Sequence, residues 1–401
     1  MTRSIHKLPN LSKAKWLNEP RLQAVLAVLS TGGGETRVAG GAVRNALLGL
    51  PIADVDLATT LEPRDVVQLA KGAGFGVHLT GIEHGTVTVV NRAAAFEVTT
   101  LRRDVETDGR HAKVIFTKSF AEDSSRRDFT INAMYCDRHG KITDYTNGYV
   151  DILRKKVKFV GKASARISED YLRILRFFRF HAAYGKGAPN REGLAACTRL
   201  RKGLQKISAE RIRQELMKLL AAPRAVETLQ VMAKSGVLKL VLPYTEEWRV
   251  LKRLPADPVL RLTVLAQEPN GLKDPLRLSN EEAARIAALI NAPVLSPGLL
   301  QKECRAMLYA LGHDHWRDAV QLSFARSRAK AGDRAWAKLL SFADQWQAPQ
   351  FPLNGSDLLR KGHAAGPLIG EFLQRAEDYW VASDFTANKV DLLAYLESSD
   401  L

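Results

Sequence analysis

The sequence predicts an α/β amino-terminal part followed by a nearly all-helical remainder. Three observations carry this. Up to about Asp151 the apolar residues alternate or come in short β-branched runs, as in Thr86-Val87-Thr88-Val89-Val90, which is how strands with one or two buried faces read. After about Ala163 the spacing turns helical, as in Leu172/Leu175/Phe178 and Ile212/Leu216/Leu219/Leu220, and strand signals become rare. Turn chemistry then separates helical groups, at 184–190, 268–271, 296–298 and 352–355.

In order, Thr36–Ala39 reads as a strand, ended by Gly40-Gly41, where a helix over Ala42–Leu48 opens. Gly49 stops that helix, with Pro51 just beyond. Val55-Asp56-Leu57 is the next strand, Arg64–Ala73 a helix, and Thr86–Val90 and Phe96–Thr99 two further strands. The segment from Asp104 to His111 is too polar to bury and contains Gly109, so it reads as a mobile loop. No fixed-period repeat or low-complexity tract interrupts the chain.

A length of 401 residues allows two or three domains with cores of their own. The net charge of +16 makes a long polyanion the natural partner, with nucleic acid ahead of a membrane because no basic amphipathic helix or lipidation motif accompanies the charge. Three widely spaced cysteines without CxxC spacing suggest neither a disulfide framework nor a zinc site, which fits a reducing cytoplasm. No signal-like apolar run opens the chain and no stretch of about 18 apolar residues occurs, so an intracellular, soluble protein is expected.

The most informative stretch is Gly40-Gly41-Ala42-Val43-Arg44, followed by Asp54-Val55-Asp56. Glycines at a strand-to-helix turn let a phosphate approach backbone N–H groups at a helix N-terminus. Asp54 and Asp56, two apart in a strand, project from one face about 6.5–7 Å apart, while Val55 and Leu57 point into a core. Two like charges side by side repel, and a divalent ion removes the difficulty; Mg²⁺ takes hard oxygen ligands and completes its shell with substrate phosphate. Glu97, between core-facing Phe96 and Val98, supplies a third carboxylate if its strand is a neighbour.

Further blocks follow: Arg126-Arg127-Asp128-Phe129-Thr130-Ile131-Asn132, Glu169-Asp170-Tyr171-Leu172-Arg173 and Ser208-Ala209-Glu210-Arg211-Ile212. Together with the glycine turn and the paired aspartates, this series resembles the class II CCA-adding tRNA nucleotidyltransferases and the related bacterial poly(A) polymerases, within the DNA polymerase β-like superfamily. The resemblance spans about residues 35–245. One departure is Asn45, where that family usually carries Asp. The resemblance implies a mixed-sheet catalytic head over 1–160, a helical neck that recognises the base over 161–245, and a helical body and tail that bind tRNA over 246–401. It implies two-metal nucleotidyl transfer, with Mg²⁺ on Asp54 and Asp56 and Glu97 beside them. It places Gly40, Gly41, Arg44, Arg127, Asp128, Asn132, Glu169, Asp170, Arg173, Arg176 and Arg211 around the nucleotide.

The residue types suit those roles. Asp128 accepts from a ribose hydroxyl and Arg127 donates to hydroxyl or phosphate. Ser168 reads as an N-cap, which puts Glu169, Asp170 and Arg173 in one first helical turn within mutual reach. Cytosine and adenine both present an exocyclic amine beside an unprotonated ring nitrogen, so Asp170 accepts from the amine while Arg173 donates to the ring. Uracil and guanine show the opposite polarity and leave both groups unpaired. Glu169 is expected to orient Arg173. Ser208 caps a further helix on which Arg211 and Glu215 form an i,i+4 pair.

Two basic runs are expected to contact RNA phosphates: Arg154, Lys155, Lys156 and Lys158 at the head-to-neck junction, and Arg326, Arg328 and Lys330 in a helical segment that includes Trp336. His313-Asp314 spells a phosphohydrolase dyad, but no histidine lies between His181 and His313 to complete its metal shell. The expected activity is sequential transfer of CMP, CMP and AMP from CTP and ATP to the 3′ end of tRNA. The alternatives are poly(A) addition to RNA, an antibiotic nucleotidyltransferase and a non-catalytic RNA-binding protein. Thr80-Gly81-Ile82-Glu83-His84-Gly85-Thr86 resembles the CCA-adding version, and a basic patch typical of the polymerases is missing from that region.

Overall fold

The computed structural model describes Lys7 to Ser399 apart from Thr80, Gly109 and Arg110. It divides into two compact units, one reaching to Tyr244 and taking in Pro275–Arg277, the other comprising Thr245–Asp274 and the chain from Leu278 on.

The first unit opens with α1 (Pro20–Val28), β1 (Thr36–Ala39), α2 (Gly41–Leu48), β2 (Asp56–Thr59) and α3 (Pro63–Gly72). Next come β3 (Gly76–His78), β4 (Thr86–Asn91) and β5 (Ala94–Thr100). A hairpin of β6 (Arg102–Asp108) and β7 (His111–Phe116) precedes α4 (Phe120–Ser125), β8 (Met134–Cys136), β9 (Ile142–Asp144) and α5 (Gly148–Leu153). Five helices complete the unit: α6 (Ala163–Glu169), α7 (Arg173–Tyr184), α8 (Arg191–Leu200), α9 (Ala209–Leu220) and α10 (Ala225–Lys234).

Seven strands form one sheet in the order β3-β4-β5-β2-β1-β8-β9. Its pairings are antiparallel except β2 with β5, which is parallel, so the sheet is mixed as expected. A parallel neighbour needs a crossover, and α3 with β3 and β4 supplies it. Register explains the faces. Val87, Val98, Leu57, Val38 and Cys136 form one row across five strands, all buried. Full burial of each Val or Leu contributes about 1.5–3 kcal/mol. The row displaced by one residue, through Glu97, Asp56 and Ala39, lies on the opposite face.

Two expectations need correction here. The strand after the glycine helix starts at Asp56, so Asp54 lies in the irregular segment before it rather than two along the same strand; Pro51 has no N–H to give to a ladder, and Ala53 and Asp54 are both exposed. The polar stretch from Asp104 to Asp108 and His111 belong to the β6–β7 pair, which carries a register shift between Asp104 and Glu106; Gly109 and Arg110 lie outside the described residues. Cross-strand pairing satisfies this backbone without any burial of its side chains being required.

The second unit is helical: α11 (Trp248–Arg253), α12 (Pro258–Leu265), α13 (Asn280–Ile290), α14 (Gln301–Arg326), α15 (Arg334–Gln345), α16 (Gly355–Arg360), α17 (Pro367–Ala382) and α18 (Lys389–Ser399). Its apolar clusters include one around Leu308, Trp316, Val320 and Leu339 and one around Leu358, Trp380, Leu392 and Leu396. Trp336 packs on the first of these. The basic run after Arg326 is not one helix. α14 ends at Arg326, Arg328 and Lys330 sit in the connection, and Asp333 caps α15 through the amides of Ala335 and Trp336; the short polar side chain competes for backbone N–H groups and starts a new helix.

Candidate active site

The turn between β1 and α2 sets the site. Gly40 has φ 67° and ψ −112°, a conformation that favours glycine. A Cβ there would lie 3.2 Å from Arg127 Nη1 and 3.4 Å from the Asn132 carbonyl. The glycine therefore admits the 127–132 segment, and its own N–H donates to the Met134 carbonyl at 3.0 Å. One turn into α2, Arg44 is 7% exposed; it donates to Asn132 Oδ1 at 2.5 Å, to Asn45 Oδ1 at 2.8 Å and to the Tyr184 hydroxyl at 3.0 Å. Desolvation lowers its pKa. Asn45 acts as an uncharged brace whose amide donates to the Pro51 carbonyl, which is how the departure from Asp is accommodated.

Arg127 is held from behind. Its Nε donates to Asp123 Oδ2 and to the Tyr135 hydroxyl, each at 3.1 Å, and Tyr135 donates to the same carboxylate at 2.6 Å. Burial alone would raise the pKa of Asp123, but the guanidiniums of Arg127 and Arg126 outweigh it and hold the carboxyl below its ordinary range. Asp128 is used fully by the protein: Oδ1 accepts from Phe129 N at 2.8 Å and Asn132 Nδ2 at 3.2 Å, Oδ2 from Arg176 Nε at 2.8 Å and Nη2 at 2.5 Å. Four bonds fill the acceptor sites of a carboxylate.

The segment from Glu169 to Arg173 is not a first helical turn. Glu169 is the last residue of α6, Asp170 is extended (φ −153°, ψ 106°), and α7 begins at Arg173. Asp170 Oδ1 accepts from Leu172 N at 3.1 Å, so the aspartate rather than Ser168 turns the chain. Arg173 donates to Glu169 Oε2 at 2.5 Å and to the Arg166 carbonyl at 2.8 Å, both through Nη1. Arg211 does not pair with Glu215. It binds Asp170 Oδ2 at 2.7 Å, while Glu215 takes Arg179 at 2.5 Å and Arg176 at 3.5 Å. Tertiary partners from α7 displace a surface i,i+4 pair worth only about 0.2–0.5 kcal/mol.

These groups surround one cleft of about 460 Å³, lined by six arginines and three aspartates. Gly40, Gly41, Arg44, Asp56, Arg127, Asp128, Asn132, Asp170, Arg173, Arg176 and Arg211 all line it. Asp54, Glu97 and Glu169 do not. Glu169 acts from behind Arg173. The parallel register sets Glu97 beside Asp56 on one face, and the Asp56 pKa is raised, first by desolvation, then by Glu97, with Asp54 adding and Arg127 opposing. Sequence reasoning missed Arg126, Leu172 and Phe180 in the lining, and Asp123 and Tyr184 behind it. The Arg126-Arg127 pair next to Asp123 is a usable signal; the others have no local signature.

The donor set suits a hard divalent cation, since it is all carboxylate and the mutual repulsion at Asp56 is relieved by a positive ion. Among the described residues no group of three or more His, Cys, Asp or Glu stands ready to hold a metal, Asp54, Asp56 and Glu97 included.

Of the basic residues, Arg154 and Lys155 are exposed after α5, whereas Lys158 pairs with Asp151 at 2.6 Å and Lys156 donates to the Ala188 carbonyl at 3.0 Å. Arg326, Arg328 and Lys330 are exposed on the second unit.

Comparison with known proteins agrees with this geometry. The family described as "Poly A polymerase head domain" matches residues 36–158, and "Probable RNA and SrmB-binding site of polymerase A" matches residues 190–249. The chain is 36% identical over 390 residues to the mitochondrial CCA tRNA nucleotidyltransferase 1 of Danio rerio, covering 91% of this chain and 88% of that protein. It is 31% identical to a CCA-adding enzyme of Latilactobacillus sakei, covering 87% and 90%. The structure resembles that of the Bacillus stearothermophilus CCA-adding enzyme in complex with CTP, with a TM-score of 0.80, 28% identity, and 95% and 98% of the two chains covered. With the glycine turn, the acidic strand start and the arginine-lined cleft in place, and with that identity over nearly the whole length, the chain belongs to the family of CCA-adding tRNA nucleotidyltransferases and poly(A) polymerase-like enzymes.

Proposed function

We propose that this enzyme adds CCA to the 3′ end of tRNA from CTP and ATP, without a nucleic-acid template and with release of pyrophosphate. One observation carries the proposal: a single cleft brings the glycine turn, Asp56, Arg127 and the Asp170/Arg173 pair together. Enzymes of this superfamily generally use a divalent metal, and we assign Mg²⁺ here, held by Asp54 and Asp56. When bound it lowers the pKa of the RNA 3′-hydroxyl and offsets charge on departing pyrophosphate.

The protein's own groups do the rest. Gly40 N–H is taken by the Met134 carbonyl at 3.0 Å, so phosphate is met by the first amides of α2, starting at Gly41, and Arg44 and Arg127 add charge-assisted donors. Asp170 and Arg173 read the base. Each Asp170 oxygen accepts one bond within the protein, leaving lone pairs for an exocyclic amine, and among the described residues Arg173 Nε and Nη2 have no partner. Asp128, whose sites are filled, contacts a ribose once Arg176 or Asn132 yields a bond.

The exposed Arg154, Lys155, Arg326, Arg328 and Lys330 contact tRNA phosphates. We assign the head to 1–160, the neck to 161–245 and the body and tail to 246–401; the unit boundary at Tyr244 supports the last division. We place the enzyme in the cytoplasm. Cys136, Cys197 and Cys304 are free and buried, which supports a reducing compartment. No helix among the described residues is long and apolar enough to cross a membrane.

The test is incubation with Mg²⁺, CTP, ATP and a tRNA lacking its last three nucleotides, followed by sequencing of the 3′ ends. Products ending in CCA are expected. A run of A would establish poly(A) addition instead, and tRNA binding without extension would establish a binding protein.

A further inference from the structure

Tyr184, the last residue of α7, touches neither the metal-binding carboxylates nor the base-reading pair. Its hydroxyl accepts from Arg44 Nη2 at 3.0 Å, and the Arg44 guanidinium carbon lies 4.4 Å from the centre of its ring. The ring also stacks on Phe180, 5.8 Å away with 29° between planes. Phe180 in turn carries Arg179 at 4.0 Å and Arg44 and Arg176 each at 5.3 Å from its centroid. Three guanidiniums around one ring repel each other, and the ring faces offset part of that repulsion.

Arg44 is the member that needs this support. It is almost fully buried and, among the described residues, forms no ion pair with a carboxylate; its other partners are the amide oxygens of Asn45 and Asn132. From the neck, Tyr184 and Phe180 support it by a hydrogen bond and ring faces, while Arg179 on the same helix repels it. The helix that carries them begins at Arg173 and ends at Tyr184, twelve residues or about 16 Å along its axis. One rigid element thus holds the base-facing arginine at its first residue and clamps the phosphate-facing arginine of α2 at its last.

We infer that Tyr184 is a positioning residue that locks Arg44 onto the neck and so fixes the distance between the phosphate-binding turn and the base-reading pair. The inference rests on the nucleotide-binding reading of the cleft. Phosphate contacts are common to every nucleotide, so loss of the lock weakens CTP and ATP alike and leaves the choice of base unchanged.

The experiment compares Tyr184→Phe, which removes the hydroxyl and keeps the ring, with Tyr184→Leu, which removes both, by equilibrium binding of CTP and ATP, by KM and kcat on truncated tRNA, and by thermal melting. The phenylalanine variant should bind both nucleotides about 10- to 100-fold more weakly, as for one hydrogen bond to a charged donor. The leucine variant should lose more, with the CTP to UTP preference and tRNA affinity as in the native enzyme. In an Arg44→Ala background Tyr184→Leu should have no further effect on nucleotide affinity. A Tyr184→Phe enzyme with native affinity for both nucleotides overturns the lock, as does a Tyr184→Leu effect that multiplies with Arg44→Ala. Should Tyr184→Leu fail to fold, Tyr184→Phe decides alone. If the native enzyme binds neither nucleotide, the reading of the cleft fails first and takes the lock with it.

Discussion

Arg211 on α9 donates to Asp170 Oδ2 at 2.7 Å, joining two residues 41 positions apart across the cleft. Both are part-exposed, so the pair contributes to stability only modestly. Its role is orientation: it aims one carboxylate that must face an exocyclic amine. Arg211→Ala should leave the melting temperature within about 2–3 °C of native, yet reduce discrimination against UTP by about tenfold, as for one charge-assisted bond. Competition between CTP and UTP for one tRNA end measures this; unchanged discrimination would remove Arg211 from base selection.

Asp56 faces Glu97 across the parallel pair of strands and has Asp54 close by. Its folded pKa is raised, first by desolvation and then by Glu97, so the metal-free fold binds a proton more tightly than the unfolded chain. Stability of the metal-free enzyme therefore falls as pH rises from the ordinary aspartate range through the raised value, and is fully present below the ordinary range. Mg²⁺ competes with that proton. The Mg²⁺-induced rise in melting temperature should be larger at pH 7 than at pH 4.5 and largely disappear in Asp56→Asn, whose turnover should drop at least about a thousandfold. A rise in melting temperature equal at both pH values would contradict the assignment.

How much of the fold and site is legible in the sequence depends on whether a signal is local. Gly40-Gly41 and the Gly49 stop are local, and the chain follows them; of the two aspartates only Asp56 lies in the strand. Asp170 with Arg211, Glu215 with Arg179 and Arg44 with Tyr184 join separate helices or domains, and nothing in the spacing of any one segment encodes them. Ser168 has the residue type of a cap, but Asp170 bends the chain two residues later with its own side chain. The polarity of the 104–111 stretch suggests a loop, whereas β6 and β7 satisfy each other's backbone.

His181, 3% exposed on α7, is a pH reporter for the neck. Burial, with help from Arg224 and Lys156, lowers its pKa from 6.5 to about 4. The unfolded chain takes the proton first, so stability is whole above about pH 6.5, declines as the pH falls from there towards 4, and levels off below. His181→Gln should flatten that decline, which amounts to at most about 3 kcal/mol. Denaturant unfolding at half-unit pH steps reads it directly.

On the second unit, replacing Arg326, Arg328 and Lys330 with glutamine should weaken tRNA binding without changing CTP or ATP affinity. The slope of log affinity against log salt should become shallower by about 2–3, close to one for each phosphate that a basic side chain no longer neutralises. A slope identical to native would show that tRNA lies elsewhere.

The central claim is that side chains, not a template strand, choose the nucleotide. The measurement is to offer all four nucleoside triphosphates at once to a tRNA lacking its last three nucleotides, with native enzyme and with Arg173→Ala, and to sequence the 3′ ends. The expected result is CCA from the native enzyme and UMP or GMP entering the ends made by Arg173→Ala. Ends from Arg173→Ala that keep the native base composition, at whatever rate they form, would contradict it.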